Sequence, residues 1–473
     1  MPDFLIIAHS ILAIIAVGTV IMYGSRPSRS LGWILIILIL PFAGTILYLL
    51  FGVNRREFKL FTLKHAQKRK LYDKKYDQNR SYDGEPFLES PKKNKIATLL
   101  FNSSGYKPYN GNKVTILDTG TTTFTMIFDK IKAAKKYVFM QYFILEEGEL
   151  FDNLCNIIEA KTREGVLFRI LYDTIGSRSL SSKAKRRLKD LGVALYPISP
   201  FTFGRLLYTI NYRNHRKIVV IDDVIGFTGG FNLSDKYIRP KSELGVWKDD
   251  HVCIEGPAVR SLLQIFIKDY YFASGDETIL KKIGNKTIQP MGNVTVQIIS
   301  GGPDYDYLSI MHQYLALISN ATRHIYIANP YFIPSRSVLQ ALVMASLSGV
   351  EVALLVPKKS DSKLTRNSMY SYFNELLTAG IKIYLDDDFL HSKVIIVDDE
   401  VVSIGSGNFD HRSFEQNYET NALIYDKTIS EKMSKNFVKA CKKCHLLSLE
   451  EHQKRPLSDK IIENFARLFS PLL

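Results

Sequence analysis

The pattern His-x-Lys-x-x-x-x-Asp occurs twice in this chain, and each copy is followed at the same distance by a small-residue tag and an Asn. His215, Lys217 and Asp222 lead to Gly229, Gly230 and Asn232; His391, Lys393 and Asp398 lead to Gly405, Ser406 and Asn408. All six pairs stand 176 residues apart. So many matches on one offset identify an internal duplication, and the fold must be built from two like units that both keep their polar segment. Two His-Lys pairs point to a phosphodiester site shared between the halves. One imidazole can attack phosphorus while the other protonates the leaving oxygen, and paired lysines and asparagines can hold the phosphate oxygens. Asn232 and Asn408 suit that second task, with Ser406 as a helper that Gly230 replaces in the first copy.

The flanking sequence predicts α/β units, twice over. Gly165-Val166 and Gly349-Val350 each introduce an apolar, strand-like run, ending at Asp173 and Pro357, and Gly192-Val193 and Gly380-Ile381 introduce two more. Tyr142-Phe143-Ile144 is echoed by Tyr331-Phe332-Ile333. Stretches with helical periodicity, such as the charged residues 183–191 and the largely apolar residues 337–347, lie between the strands. On an extended segment residues i and i+2 face one side, so His215 with Lys217, and His391 with Lys393, point into a common space. Strands over residues 218–221 and 394–397 then end at Asp222 and Asp398, which are expected to support the motif by hydrogen bonding in turns. No matched His accompanies these acids, and no metal is expected.

At 473 residues the chain has room for two or more domains, and its net charge of +15 favours an anionic partner, nucleic acid or acidic lipid. The N-terminus favours lipid. Residues 4–23 carry no formal charge and suffice for about 30 Å of helix. A second apolar run covers 31–51, with Pro41 and Gly44 leaving open a kink or a re-entrant path. A cleaved signal peptide fits poorly, because no basic residue precedes the first run and a second follows at once. Ten Lys and Arg fall between Arg55 and Arg80, against two in the short loop, which by the positive-inside rule puts the large C-terminal portion and the N-terminus in the cytoplasm. Such a basic run also suits contact with anionic headgroups.

With Asn214-His215-Arg216-Lys217 and Asp222, His391-Ser392-Lys393 and Asp398, Trp247 with Asp249 and His251, the run from Asn329 to Pro334, and Asp410, Arg412, Ser413, Asn417 and Glu419, the chain resembles the phospholipase D superfamily and within it the bacterial cardiolipin synthases. The resemblance covers nearly the whole chain. Family members often have Thr where Asn329 stands and Gly where Asp223 and Asp399 stand. The resemblance implies two tandem α/β/α sandwich repeats forming one active site, preceded by two hydrophobic membrane helices. The corresponding boundaries are 1–53 for the membrane segment, 54–112 for a basic lead-in, and 113–285 and 286–473 for the repeats. It implies Glu419 and Asp249 as carboxylates that orient the two histidines, without saying which serves which. It further implies metal-independent transfer of a phosphatidyl group between phosphatidylglycerol molecules to give cardiolipin, with His215 as nucleophile, His391 as acid and then base, and no cofactor. Nuclease, phospholipase and phosphatidylserine synthase activities use the same residues and stay open. The paired hydrophobic runs weigh against nucleic acid as partner, and oligomeric state is not legible.

Three further segments carry expectations. Residues 201–210 read as an insertion beside the active site, either an extra strand or a membrane-dipping loop. Cys441-x-x-Cys444-His445 spells the c-type haem attachment pattern, which the cytoplasmic placement disfavours; residues 430–447 read instead as an amphipathic helix. Ile461, Phe465, Leu468, Phe469 and Leu472 stand at helical spacing and are expected to pack on the catalytic core.

Overall fold

The computed structural model describes residues 3–24, 27–53, 87–198, 212–239, 244–282 and 288–473. The basic run after Arg55 and the insertion at 201–210 lie outside the described residues. The first half contributes β1 (Tyr109–Leu117), β2 (Tyr137–Tyr142), β3 (Leu167–Asp173), β4 (Ala194–Ile198), β5 (Ile218–Ile221), β6 (Ile225–Gly229), β7 (Trp247–Lys248) and β8 (His251–Glu255). The second contributes β9 (Val294–Gly301), β10 (His324–Ala328), β11 (Glu351–Pro357), β12 (Lys382–Asp386), β13 (Phe389–Leu390), β14 (Val394–Val397), β15 (Val401–Gly405), β16 (Glu419–Tyr425) and β17 (His445–Leu447).

Fifteen of these form one sheet in the order β17-β12-β11-β10-β14-β15-β16-β9-β1-β8-β6-β5-β2-β3-β4. Read outward from the antiparallel β1·β9 pair, the halves have the same strand order, β1-β8-β6-β5-β2-β3-β4 and β9-β16-β15-β14-β10-β11-β12. The duplication is thus a pseudo-twofold in one continuous sheet. Helices cover both faces. On one face Val259–Ser274 and Lys427–Cys441 pack over strands of both halves in a common core that includes Phe139, Val220, Phe266, Ile298, Ile404 and Phe437. On the other face each half has its own core, around Phe124, Leu154 and Phe227 in the first and around Tyr314, Leu339 and Phe373 in the second.

Local sequence explains most elements. Gly165, Gly349, Gly192 and Gly380 all have φ between 84° and 90° and turn the chain from a helix into the next strand, as their placement before apolar runs predicts. Both β5–β6 and β14–β15 turn through paired aspartates with positive φ: Asp222 and Asp223, Asp398 and Asp399. Such backbone favours Gly, so these Asp residues hold it with side-chain bonds. Asp222 accepts the N–H groups of Lys135, Lys136 and Tyr137 at 2.6–2.9 Å. Asp398 accepts those of Thr322, Arg323 and His324, and the Lys92 ammonium at 2.9 Å.

Several expectations need correction. The register of β2 on β5 and of β10 on β14 pairs Gln141 with Ile218 and Ala328 with Val394, so Tyr142 corresponds to Asn329. The Tyr-Phe-Ile echo is therefore two residues out of register. Within the lead-in, the helix Pro91–Ser104 packs through Ile96, Ala97 and Leu100 on the second half. Residues 430–447 are not one helix: the helix ends at Cys441, and His445 begins the edge strand β17, where it pairs with Glu451 at 2.8 Å.

Of the paths left open for the apolar N-terminus, the structure takes the kinked one. Asp3–Tyr23 is one helix, long and apolar enough to cross a membrane. The second run is Pro27–Ile39, a break at Pro41-Phe42, then Ala43–Leu47 and Tyr48–Gly52. Phe42, with φ 57°, donates its N–H to His9, and the chain then doubles back. Tyr48 returns to Trp33, with ring centroids 5.7 Å apart, and to the Thr19 hydroxyl at 3.1 Å. Val53 therefore leaves at the end where Pro27 entered. At that end Arg29 pairs with Glu415 of the catalytic body at 3.7 Å.

Candidate active site

His215 and His391 lie on extended segments directly before β5 and β14, beyond the carboxyl ends of β2 and β10. Each segment is stitched to the opposite half. The His215 N–H donates to Tyr418 O at 2.9 Å, and that of His391 to Lys248 O at 2.7 Å; β13 pairs with β7 as part of the second stitch. The residue after each of those carbonyls is an acid. His215 Nδ1 lies 3.0 Å from a Glu419 oxygen, and His391 Nδ1 lies 2.6 Å from an Asp249 oxygen. Each half thus supplies the carboxylate that holds the histidine of the other. A neutral imidazole that donates Nδ1–H in this way presents its Nε2 lone pair.

Asp249 and Glu419 are equivalent positions. Gly229 faces His251 across β6·β8, and Gly405 faces Asn421 across β15·β16, so each acid stands two residues before the partner of the tag glycine. The small tags follow from this. A Cβ on Gly230 would come within 1.9 Å of an Asp249 oxygen. In the second half the corresponding Ser406 donates its hydroxyl to Glu419, joined there by Ser413 and Asn417. Asn232 accepts the Ile144 N–H at 3.0 Å and turns Nδ2 toward the Tyr237 hydroxyl. Asn408 is buried, and its backbone N–H donates to Ser413.

Lys217 and Lys393 are buried behind the histidines, and Lys393 Nζ lies 2.9 Å from His391 Nδ1. Burial pushes both ammonium groups below their ordinary value; Glu419 opposes it at Lys217, and Asp249 and Glu419 oppose it at Lys393. Burial likewise lowers both histidines, and neighbouring lysines lower them further, while Glu419 resists at His215. At Glu419 burial is outweighed by His215, Lys217 and Ser406, which hold the carboxyl below its usual range. At Asp249 burial wins over Lys393 and the Asp250 N–H, and its carboxyl is pushed up to about 7. Desolvated cations of this kind gain most from an arriving anion.

Asp222 and Asp398 are not brought to this cluster. They close the far ends of β5 and β14, roughly 20 Å along the chain from the histidines, and serve the turns described above. Both aspartates thus have the supporting, hydrogen-bonding role expected of them and stand apart from the groups around the histidines. Lys236, which the sequence reading missed, lies here: its Nζ is 4.2 Å from the Trp247 ring centre, and it depresses His391. The signal was available, since Lys236 and the half-buried Arg412 stand on the same 176-residue offset as the motif. Aromatic rings line both histidines, Phe143 at 5.0 Å from His215, and Trp247, Phe389 and Tyr331 at 5.8–6.2 Å from His391.

A duplicated α/β body with paired His-Lys segments defines a phospholipase D-like protein. The family described as "Cardiolipin synthase, PLD-like domain" matches residues 127–270 and 314–441, and "Phospholipase_D-nuclease N-terminal" matches residues 11–52. A Geobacillus sp. (strain WCH70) protein described as cardiolipin synthase is 38% identical over 455 residues, 95% of this chain and 89% of that relative. The major cardiolipin synthase of Bacillus subtilis is 37% identical over 457 residues, 94% of each chain. Among solved structures, a phosphatidylserine synthase from Haemophilus influenzae shares the fold, with a TM-score of 0.61 and 16% identity over 81% of this chain and all of that one. The chain belongs to the phospholipase D-like cardiolipin synthase family.

Asp249 accepts from His391 as an anion only above about pH 7. Below that pH it is protonated and cannot stabilise an imidazolium, so turnover should rise as pH passes upward through about 7. Asp249→Asn should lower turnover ~10²-fold or more and remove this acidic limb from the pH–rate profile. An unchanged limb in the variant would assign the ionisation to another group.

Proposed function

We propose that this protein is a cardiolipin synthase, moving a phosphatidyl group from one phosphatidylglycerol to another at a single site shared by both halves. The observation that carries the reading is the crossed pair of carboxylate–histidine contacts, His215 with Glu419 and His391 with Asp249. His215 Nε2 attacks the phosphorus of the first phosphatidylglycerol. The P–O bond to glycerol breaks, and His391 gives the leaving oxygen its proton. The primary hydroxyl of the second phosphatidylglycerol then attacks the phosphatidyl-histidine, His391 takes its proton, and the P–N bond breaks. One phosphodiester replaces another, so no nucleotide is consumed. Lys217 and Lys393 offset charge on the non-bridging oxygens, with Asn232 and Asn408 as donors. Asp222 and Asp398 support the strands that carry the motif. Surrounding aromatic rings exclude the water that would turn transfer into hydrolysis.

Both substrates and the product are membrane lipids, which fits the apolar N-terminus. In our reading Asp3–Tyr23 spans the cell membrane, and residues 27–52 enter and leave on the side of the catalytic body. The 13-residue Pro27–Ile39 helix reaches only about 20 Å, short of a span. The positive-inside rule then keeps the catalytic part in the cytoplasm, while the N-terminus, expected on that same side if both apolar runs span, lies outside in this reading. Asp3→Cys should react with an impermeant maleimide in intact cells, and Ser30→Cys only after permeabilisation. The reverse pattern would refute this topology.

Vesicles of phosphatidylglycerol alone, incubated with the purified chain, should yield cardiolipin and glycerol in equal amounts. His215→Asn and His391→Asn should each abolish this. Phosphatidic acid as the main product would make the protein a phospholipase, and release of nucleotides from DNA a nuclease.

A further inference from the structure

The C-terminal helix Leu457–Arg467 is mounted with its apolar side outward. Leu457, Ile461, Phe465 and Leu468 form an i, i+4, i+8, i+11 stripe with exposures of 71%, 59%, 60% and 73%, and Ile462 and Phe469 flank it. The expected packing of this stripe on the core is therefore overturned, because the polar side faces the body. Glu463 is buried and paired with Arg455 at 3.0 Å, Arg467 lies 4.3 Å over the Tyr372 ring, and Ala466 is buried. Beyond the helix, Ser470 bonds Ser368 and Tyr372, and Arg412 N–H donates to Leu473 O. The outward apolar face is thus held firmly from behind.

We propose that this face is a second membrane-contact element that lies flat in the lipid surface and presents the active site to the bilayer. This inference deepens the cardiolipin synthase reading and rests on it for the identity of the lipid. Two observations single out a bilayer as the occupant. The C-terminal segment is linked to the base of the apolar N-terminus: Arg29, at the head of the second apolar run, pairs with Glu415, and the adjoining Gln416 bonds Pro471 O. The rim carries exposed lysines. Lys363, with Leu364 beside it, opens the helix that the C-terminal helix packs against, and Lys359 and Lys358 precede it, with the exposed Asp361 between them and the helix and Lys358 paired with Asp387. A helix with an apolar outer face and flanking lysines suits an interface with acidic headgroups. The same segment leads into the site, since Asp361 accepts the Tyr331 hydroxyl at 2.9 Å and the Tyr331 ring lies 6.2 Å from His391.

The test uses the full chain in phosphatidylglycerol nanodiscs loaded at one chain per disc. An environment-sensitive fluorophore is attached at Phe465→Cys, with Cys444→Ser removing the partly exposed thiol. Brominated acyl chains should quench the label and aqueous iodide should not. Quenching by iodide alone would overturn the proposal, as would protection that appears only when two chains share a disc, which would mark a contact between copies. In parallel, Ile461→Ser with Phe465→Ser and Leu468→Ser should slow transfer between long-chain lipids at least 10-fold while leaving cleavage of a soluble nitrophenyl phosphodiester unchanged. Equal loss on both substrates, or on neither, would overturn it. Lipid quenching with a product other than cardiolipin would leave the docking intact and refute only the synthase reading.

Discussion

Everything in the catalytic body serves one arrangement, in which each half holds the histidine of the other. The contact from His215 to Glu419 and that from His391 to Asp249 both cross the pseudo-twofold. Neither half alone can orient its own imidazole. This explains why the sheet is continuous through β1 and β9, why the common core on one face draws residues from both halves, and why backbone stitches at Tyr418 and Lys248 sit immediately before the acids. A shift of one half against the other would break both orienting bonds together.

The symmetry is broken where chemistry needs it. Glu419, one methylene longer, sits in a nest of hydroxyl and amide donors and stays ionised, while Asp249 fits only because position 230 lacks a side chain. Asp249 is poised near neutrality, and His391 is crowded by Lys393 and Lys236. One imidazole thus faces a fixed anion and the other a titratable one. That difference is the kind expected of one group that remains a nucleophile and another that cycles through a proton.

Much of this was legible in the sequence. The fixed offset exposed the duplication, and the Gly-apolar runs marked the strands β3, β4, β11 and β12. What stayed hidden was tertiary. Asp249 and Glu419 stand 170 residues apart rather than 176, because the connection from β6 to β8 is longer than that from β15 to β16. Their pairing also crosses between halves, which no local spacing reveals. For the second apolar run the sequence left a span and a re-entrant path both open, because hydropathy does not record direction, whereas positive φ at Phe42 reverses the chain. For the C-terminal stripe, periodicity identified the helix, but an apolar face looks the same whether it meets a core or a lipid surface.

The crossed pairing is tested most directly on the imidazole nitrogens themselves. With ring-15N-labelled histidine and resonances assigned by His215→Asn and His391→Asn, Glu419→Gln should shift Nδ1 of His215 and leave that of His391 in place. Asp249→Asn should do the converse. Perturbation of the histidine in the same half as the mutated acid would contradict a site built by exchange between the halves.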